Sequence, residues 1–212
     1  MVSKKCHRCA AHILCLLIFL FTASFLLAQA DFSADIVDLQ KPGAPSSARV
    51  YFTKDKMRAE PQSASARGAG AFIVNFTTQT SMVLMAQQHM YMEMPAQSQN
   101  QRLGYSFFEV GDVENACGAW QNNARNQGSA CHKVGDESVN GRTAVKYETT
   151  GANGDTSYFW LDPKLRFPVK WQGKNNSGEL RNIQEGAQPA SLFEVPAGFT
   201  KMQMPMGMPQ PR

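Results

Sequence analysis

Apolar and polar positions alternate with a period of two along most of this chain. The run Leu165–Trp171 shows it most clearly: Leu165, Phe167, Val169 and Trp171 fall on one side, Lys164, Arg166, Pro168 and Lys170 on the other. Successive side chains of a strand point to opposite faces, so the pattern predicts a half-buried β-strand. Pro168 has no amide donor and belongs near a sheet edge or at a bulge. With the aromatic run before Asp162-Pro163 it makes a long antiparallel hairpin. The same period predicts strands over Phe32–Leu39, Ala48–Thr53, Lys56–Glu60, Ala71–Phe76, Thr80–Ala86, His89–Met94, Lys133–Val139, Arg142–Thr149, Asp155–Asp162 and Gly178–Glu185. Asn140-Gly141 marks a two-residue hairpin, because both positions tolerate positive φ. Between Leu103 and Gln127 the period changes. Val113, Ala116, Cys117, Trp120 and Ala124 recur at three and four residues, which predicts a helix with Asp112 as N-cap and Gly128 as its stop.

The N-terminus changes how composition is read. Lys4, Lys5 and Arg8 precede an apolar run, Ile13–Leu27, and an Ala28-Gln29-Ala30 cleavage site, the pattern of a secretory signal peptide over residues 1–30. The apolar run is short for a bilayer span of about 20 residues. Of the 21 Lys and Arg, set against 17 Asp and Glu, three lie in that segment, so the remainder is close to neutral and nothing points to nucleic acid. Cys6, Cys9 and Cys15 leave with it, which makes Cys6-His7-Arg8-Cys9 a false metal or redox motif. Cys117 and Cys131 remain. Two buried thiols or half of a metal site beside His132 are open readings; an oxidising compartment favours a disulfide. Residues 201–212, rich in Met and Pro, are expected to be a disordered tail.

The residues also resemble a family. The aromatic strand ending Trp160-Leu161-Asp162-Pro163, followed by Phe167-Pro168-Val169-Lys170-Trp171, is similar to the C-terminal half of bacterial envelope proteins of the lipoprotein-carrier (LolA-like) superfamily. Lys56–Glu60, His89–Glu93, Gly135–Glu148 and Leu192–Phe199 agree with it. A domain group of unknown function within that superfamily looks nearest, and the resemblance covers most of Asp31–Met202. It implies a mainly β domain over residues 31–200: an open, strongly bent antiparallel sheet, a half-barrel, with one or two lid helices over an apolar hollow. It also implies a periplasmic or secreted protein.

Candidate chemistry is sparse. After residue 30 only His89 and His132 remain as histidines and no serine sits in a nucleophile elbow, so no enzyme is expected; no cofactor or metal is expected either. Met82, Met85, Met90, Met92 and Met94 cluster in two strands, and Met202, Met204, Met206 and Met208 repeat near the C-terminus. Thioethers suit Cu(I), which makes a copper-binding protein one alternative. An adaptable apolar lining is the reading preferred here. Phe72, Val74, Phe76, Met82, Leu84, Met90, Met92, Met94, Tyr158, Trp160, Phe167 and Trp171 are then the expected concave, ligand-binding face, beneath a lid around Trp120. Lys146 and Glu148 are expected on the opposite face. An acyl chain of about 10 methylenes would gain roughly 8 kcal/mol on full burial before entropic costs. The expected function is a monomeric, exported binding protein for a lipid or acyl chain, or an acylated polypeptide; an envelope protein-interaction or sensor domain is the other alternative.

Overall fold

A computed structural model describes residues 30–41, 47–62, 70–95, 111–122, 126 and 128–202. The expected signal peptide, apart from Ala30, and the tail beyond Met202 lie outside the described residues. The strands are β1 (Phe32–Asp38), β2 (Ala48–Phe52), β3 (Lys56–Pro61), β4 (Ala71–Asn75), β5 (Thr80–Met85), β6 (Met90–Pro95), β7 (Ala130–Val139), β8 (Arg142–Thr150), β9 (Thr156–Asp162), β10 (Phe167–Gln172), β11 (Ser177–Glu185) and β12 (Thr200–Lys201). They form one sheet in the order β12-β6-β5-β4-β3-β2-β1-β11-β10-β9-β8-β7. Two antiparallel meanders, β1–β6 and β7–β11, are joined through the β1–β11 pairing. Among the described residues only β12, which runs parallel to β6, departs from the antiparallel pattern.

Local chemistry explains the turns. Asn140 and Gly141 take φ of 50° and 81°, as a two-residue hairpin turn requires. After β9, the Asp162 carboxylate accepts from the amides of Lys164 and Leu165, at 2.8 and 2.9 Å, and so builds the Asp-Pro turn. Leu165 belongs to that turn, not to the strand, yet its side chain joins the same cluster as Phe167 and Val169. β10 lies inside the sheet, and Pro168 is accommodated by a register shift between Pro168 and Lys170.

The sheet bends toward one face. Phe52 on β2 and Phe167 on β10 are three strand spacings apart, about 14 Å on a flat sheet, yet their ring centroids lie 4.4 Å apart. Phe32 lies against both. Around these rings one cluster gathers Val50, Met57, Val74, Ala144, Trp160, Val169 and Leu180, drawn from β4 round to β8. Curvature thus lets the concave face bury itself.

Among the described residues the outer face is covered in two places. Helix α1 (Ala116–Gln121), preceded by the short turn Val113–Asn115, packs Val113 and Ala116 on Val145, Tyr147, Phe159 and Leu161. Asp112 caps that turn, accepting from the Glu114 amide at 3.0 Å. At the other end Phe193, with Leu192, Val195 and Phe199, covers Ala71, Ile73 and Leu84. Polar pairs hold the strip between them, Arg49 with Asp35 at 3.0 Å and Arg181 with Glu179 at 2.6 Å.

Candidate functional site

Strand registers decide which candidate residues meet. Facing residues of neighbouring strands share a side of the sheet. One concave row runs Ala59, Phe72, Val83, Met92, and the next runs Met57, Val74, Ser81, Met94. Val74, Trp160 and Phe167 are buried in the concave cluster, and Phe76, Tyr158 and Trp171 pack on it half-buried. Over most of its width this face is therefore occupied by the protein's own side chains. Beyond Val74 the packing thins: Phe72, Val83, Met85, Met90, Met92 and Met94 are all half-buried. Val83 is missing from the expected face and Met85 was counted only with the methionine cluster, although the alternation of β5 carries both.

Two candidates lie on the wrong side. Met82 faces Ile73 and Leu84 faces Ala71, so both belong to the outer cluster under Phe193. β5 is apolar on both faces, and parity alone left its orientation against β4 undetermined.

Trp120 is also displaced from the expected site. Its helix packs on Val145, Tyr147, Phe159 and Leu161, which alternate with the concave residues Ala144, Tyr158 and Trp160. The helix is thus a cover on the outer face and does not roof the concave one. The Cys117–Cys131 disulfide ties it to β7, with a Cα separation of 5.5 Å. The buried Tyr147 hydroxyl donates to the Val113 carbonyl at 2.7 Å and accepts from the Ala116 amide at 3.3 Å. Trp120 itself lines an open hollow of mixed polar and apolar surface, about 440 Å³, with Ser129, Thr149, Ala152, Asp155 and Ser157. A second, of about 510 Å³, lies between Ala30, Asp31 and the Glu185–Ala187 corner. Neither is lined by a concave candidate.

The surroundings of Trp160 overturn a further expectation. Lys146 faces Trp160 and Glu148 faces Tyr158 across the β8–β9 ladder, so both share the side of those aromatics. The Lys146 ammonium lies 5.0 Å from the Trp160 ring centroid and 5.1 Å from that of Tyr158; Lys170 lies 4.7 Å from Trp160. The indole of Trp160 donates to Glu137 at 2.7 Å, as does Lys146. Those two hydrogen bonds, Lys146 first, hold the Glu137 carboxyl below the usual carboxylate range. Hydrogen bonding to Glu148, with the charge of that carboxylate, pushes the Tyr158 hydroxyl up. This corner is closed by its own ion pairs and indole contacts. Trp160 is only 2% exposed. Among the described residues no three His, Cys, Asp or Glu side chains are grouped to hold a metal.

No family model matches the chain, and no curated protein matches it. Among solved structures, it is similar to an uncharacterized conserved protein from Thermus thermophilus, at 9% identity and a TM-score of 0.51, over 92% of this chain and 99% of that one. It is also similar to the MucA/MucB complex structure of Pseudomonas aeruginosa, at 16% identity and a TM-score of 0.49 over 84% of this chain, spanning 60% of the matched one. A LolA superfamily protein from Nitrosomonas europaea matches at 13% identity and a TM-score of 0.33, over 78% of this chain and 90% of that one. The first likeness is one of fold.

Proposed function

We propose that this is an exported, non-enzymatic binding domain of the cell envelope, and that it engages another polypeptide on its sheet instead of enclosing an acyl chain. The observation that carries this reading is the filled concave face, with Phe32, Phe52, Val74, Phe167 and Leu180 all buried against one another. A chain of methylenes gains its full burial energy only when surrounded, and here the protein's own rings take that space. A partner polypeptide needs less depth; a standard interface removes about 800 Å² from each side.

The apolar surface left for it lies at the β4–β6 end, along Phe72, Val83 and Met92. The other end of the sheet is guarded: β7 carries Lys133, Asp136 and Glu137 and a register shift between Lys133 and Gly135, features that oppose addition of a further strand. Methionines make the β6 end adaptable, because thioether side chains repack around different shapes. Export rests on the basic and apolar N-terminal pattern; no helix among the described residues is long and apolar enough to cross a membrane.

An acylated polypeptide is the second reading, favoured by the same half-buried strip, which could hold part of one chain. Titration with a fluorescent fatty-acid probe separates the two. The partner reading expects no saturable stoichiometric uptake. One-to-one binding in the micromolar range, lost in Val83→Asp and Met92→Asp, would establish the acyl reading in its place.

A further inference from the structure

The last strand changes what the methionines can do. β12 pairs Thr200 with Met90 and Lys201 with Tyr91, and the Met202 amide continues the ladder by donating to the Tyr91 carbonyl at 2.8 Å. Lys201 ion-pairs with Glu93, and Tyr91 packs in the outer cluster with Phe193. Lys201, Tyr91 and Glu93 therefore take the outer side. Met202, one residue on, falls on the concave side, beside Met92 and diagonal to Met90 and Met94. Neighbouring strands lie about 4.8 Å apart, so long thioether side chains on one face of this parallel pair are within reach of one another. Met202, Met92, Met90 and Met94 are all half-buried.

We infer that Met92 and Met202, completed by Met90 or Met94, form a binding site for a soft monovalent cation of the Cu(I) class. Thioethers are neutral, polarisable donors that suit such ions and serve hard divalent ions poorly. The charged neighbour on β6, Glu93, is engaged by Lys201 on the other side of the sheet, so the thioethers meet the ion without a competing carboxylate from their own strand. The donors come from strands far apart in sequence and exist as a group only when β12 is docked. A bound ion would therefore fasten the C-terminal strand to the edge of the sheet. The expectation that the methionines serve only as lining came from viewing β6 and the C-terminal run as separate; the parallel register joins them. Met204, Met206 and Met208 continue in the same alternate phase as Met202 in the sequence, and lie outside the described residues. The inference is independent of the partner reading, since it is tested on the isolated domain.

The test is titration of the folded domain, labelled at its methionine methyl groups, with Ag(I), a redox-inert ion of the same class, followed by NMR. The methyl signals of Met92 and Met202 are expected to shift together and saturate at one equivalent. Met92→Leu and Met202→Leu should each weaken binding by about tenfold or more. Met82→Leu, on the outer face, should leave it unchanged, and so should deletion of residues 203–212. Absence of a saturable shift would overturn the inference, as would affinity that survives both Leu substitutions. Binding lost on deletion of 203–212 but kept in Met92→Leu would assign the metal to the tail alone and overturn it equally.

Discussion

Removing the disulfide tests how the outer cover is held. Helix α1 has six residues, far below the length at which an isolated helix persists in water. It stays in place through Val113, Ala116, the Tyr147 hydroxyl and the bridge from Cys117 to Cys131, fourteen positions apart. Closing a loop of that length restricts the unfolded chain, and in the chain-entropy account the bridge stabilises the fold by about 3 kcal/mol. Cys117→Ser with Cys131→Ser should lower the unfolding free energy by that amount. With a urea slope of about 2 kcal/mol/M, the midpoint should fall by about 1.5 M. Wild-type protein kept reduced should unfold with the double variant, which separates loss of the bridge from any effect of the serines. A midpoint within about 0.3 M of the oxidised wild type would refute the reasoning, and would mean that apolar packing alone holds the helix.

Other outcomes follow from single contacts. Tyr147→Phe leaves the Val113 carbonyl and the Ala116 amide without their buried partner and should cost about 1–3 kcal/mol in urea unfolding. Gly178→Ala would drive a methyl carbon into the Trp171 ring and place it 3.0 Å from the Val37 carbonyl; displacing the ring should cost about 1–3 kcal/mol, with a changed Trp171 near-ultraviolet signal. The Glu185 carboxyl is held below its ordinary range by the hydrogen bond from Lys164, which prevails over partial burial and is joined by one from Arg142. Its contribution is therefore complete above the ordinary glutamate value of about 4.3 and lost as pH falls through the lower folded value. Glu185→Gln should flatten that acid limb in urea midpoints measured against pH, and an unchanged slope would argue against the linkage.

Much of the architecture was legible because its determinants are local. Asn140-Gly141, the Asp162-Pro163 turn and the strand alternation each act within a few residues. The change of period at Val113–Trp120 marked the helix. What stayed hidden depends on how separate segments meet. Parity orders side chains within β5, but both faces of Thr80–Met85 carry apolar residues, so only the pairing of Ile73 with Met82 shows which side is which. Trp120 was expected over the concave face because the resemblance implies a lid there; its amphipathic turn fits either side, and Val145, Tyr147, Phe159 and Leu161 supply an apolar floor outside. Lys146 and Glu148 looked outward as charges usually do, yet pair across the ladder with Trp160 and Tyr158. β12 is two residues long, opens at Thr200 and reaches Lys201, the first residue of the expected tail. Its pairing with β6 draws on backbone groups that carry no sequence signal.

Native mass spectrometry of the protein taken directly from its host measures the central claim most directly. A domain whose concave face is already filled by Phe32, Phe52, Phe167 and their neighbours should carry a polypeptide or nothing, and a captured polypeptide should be lost in Val83→Asp and Met92→Asp. A lipid or free fatty acid retained at one per chain, in protein still folded, would contradict the account.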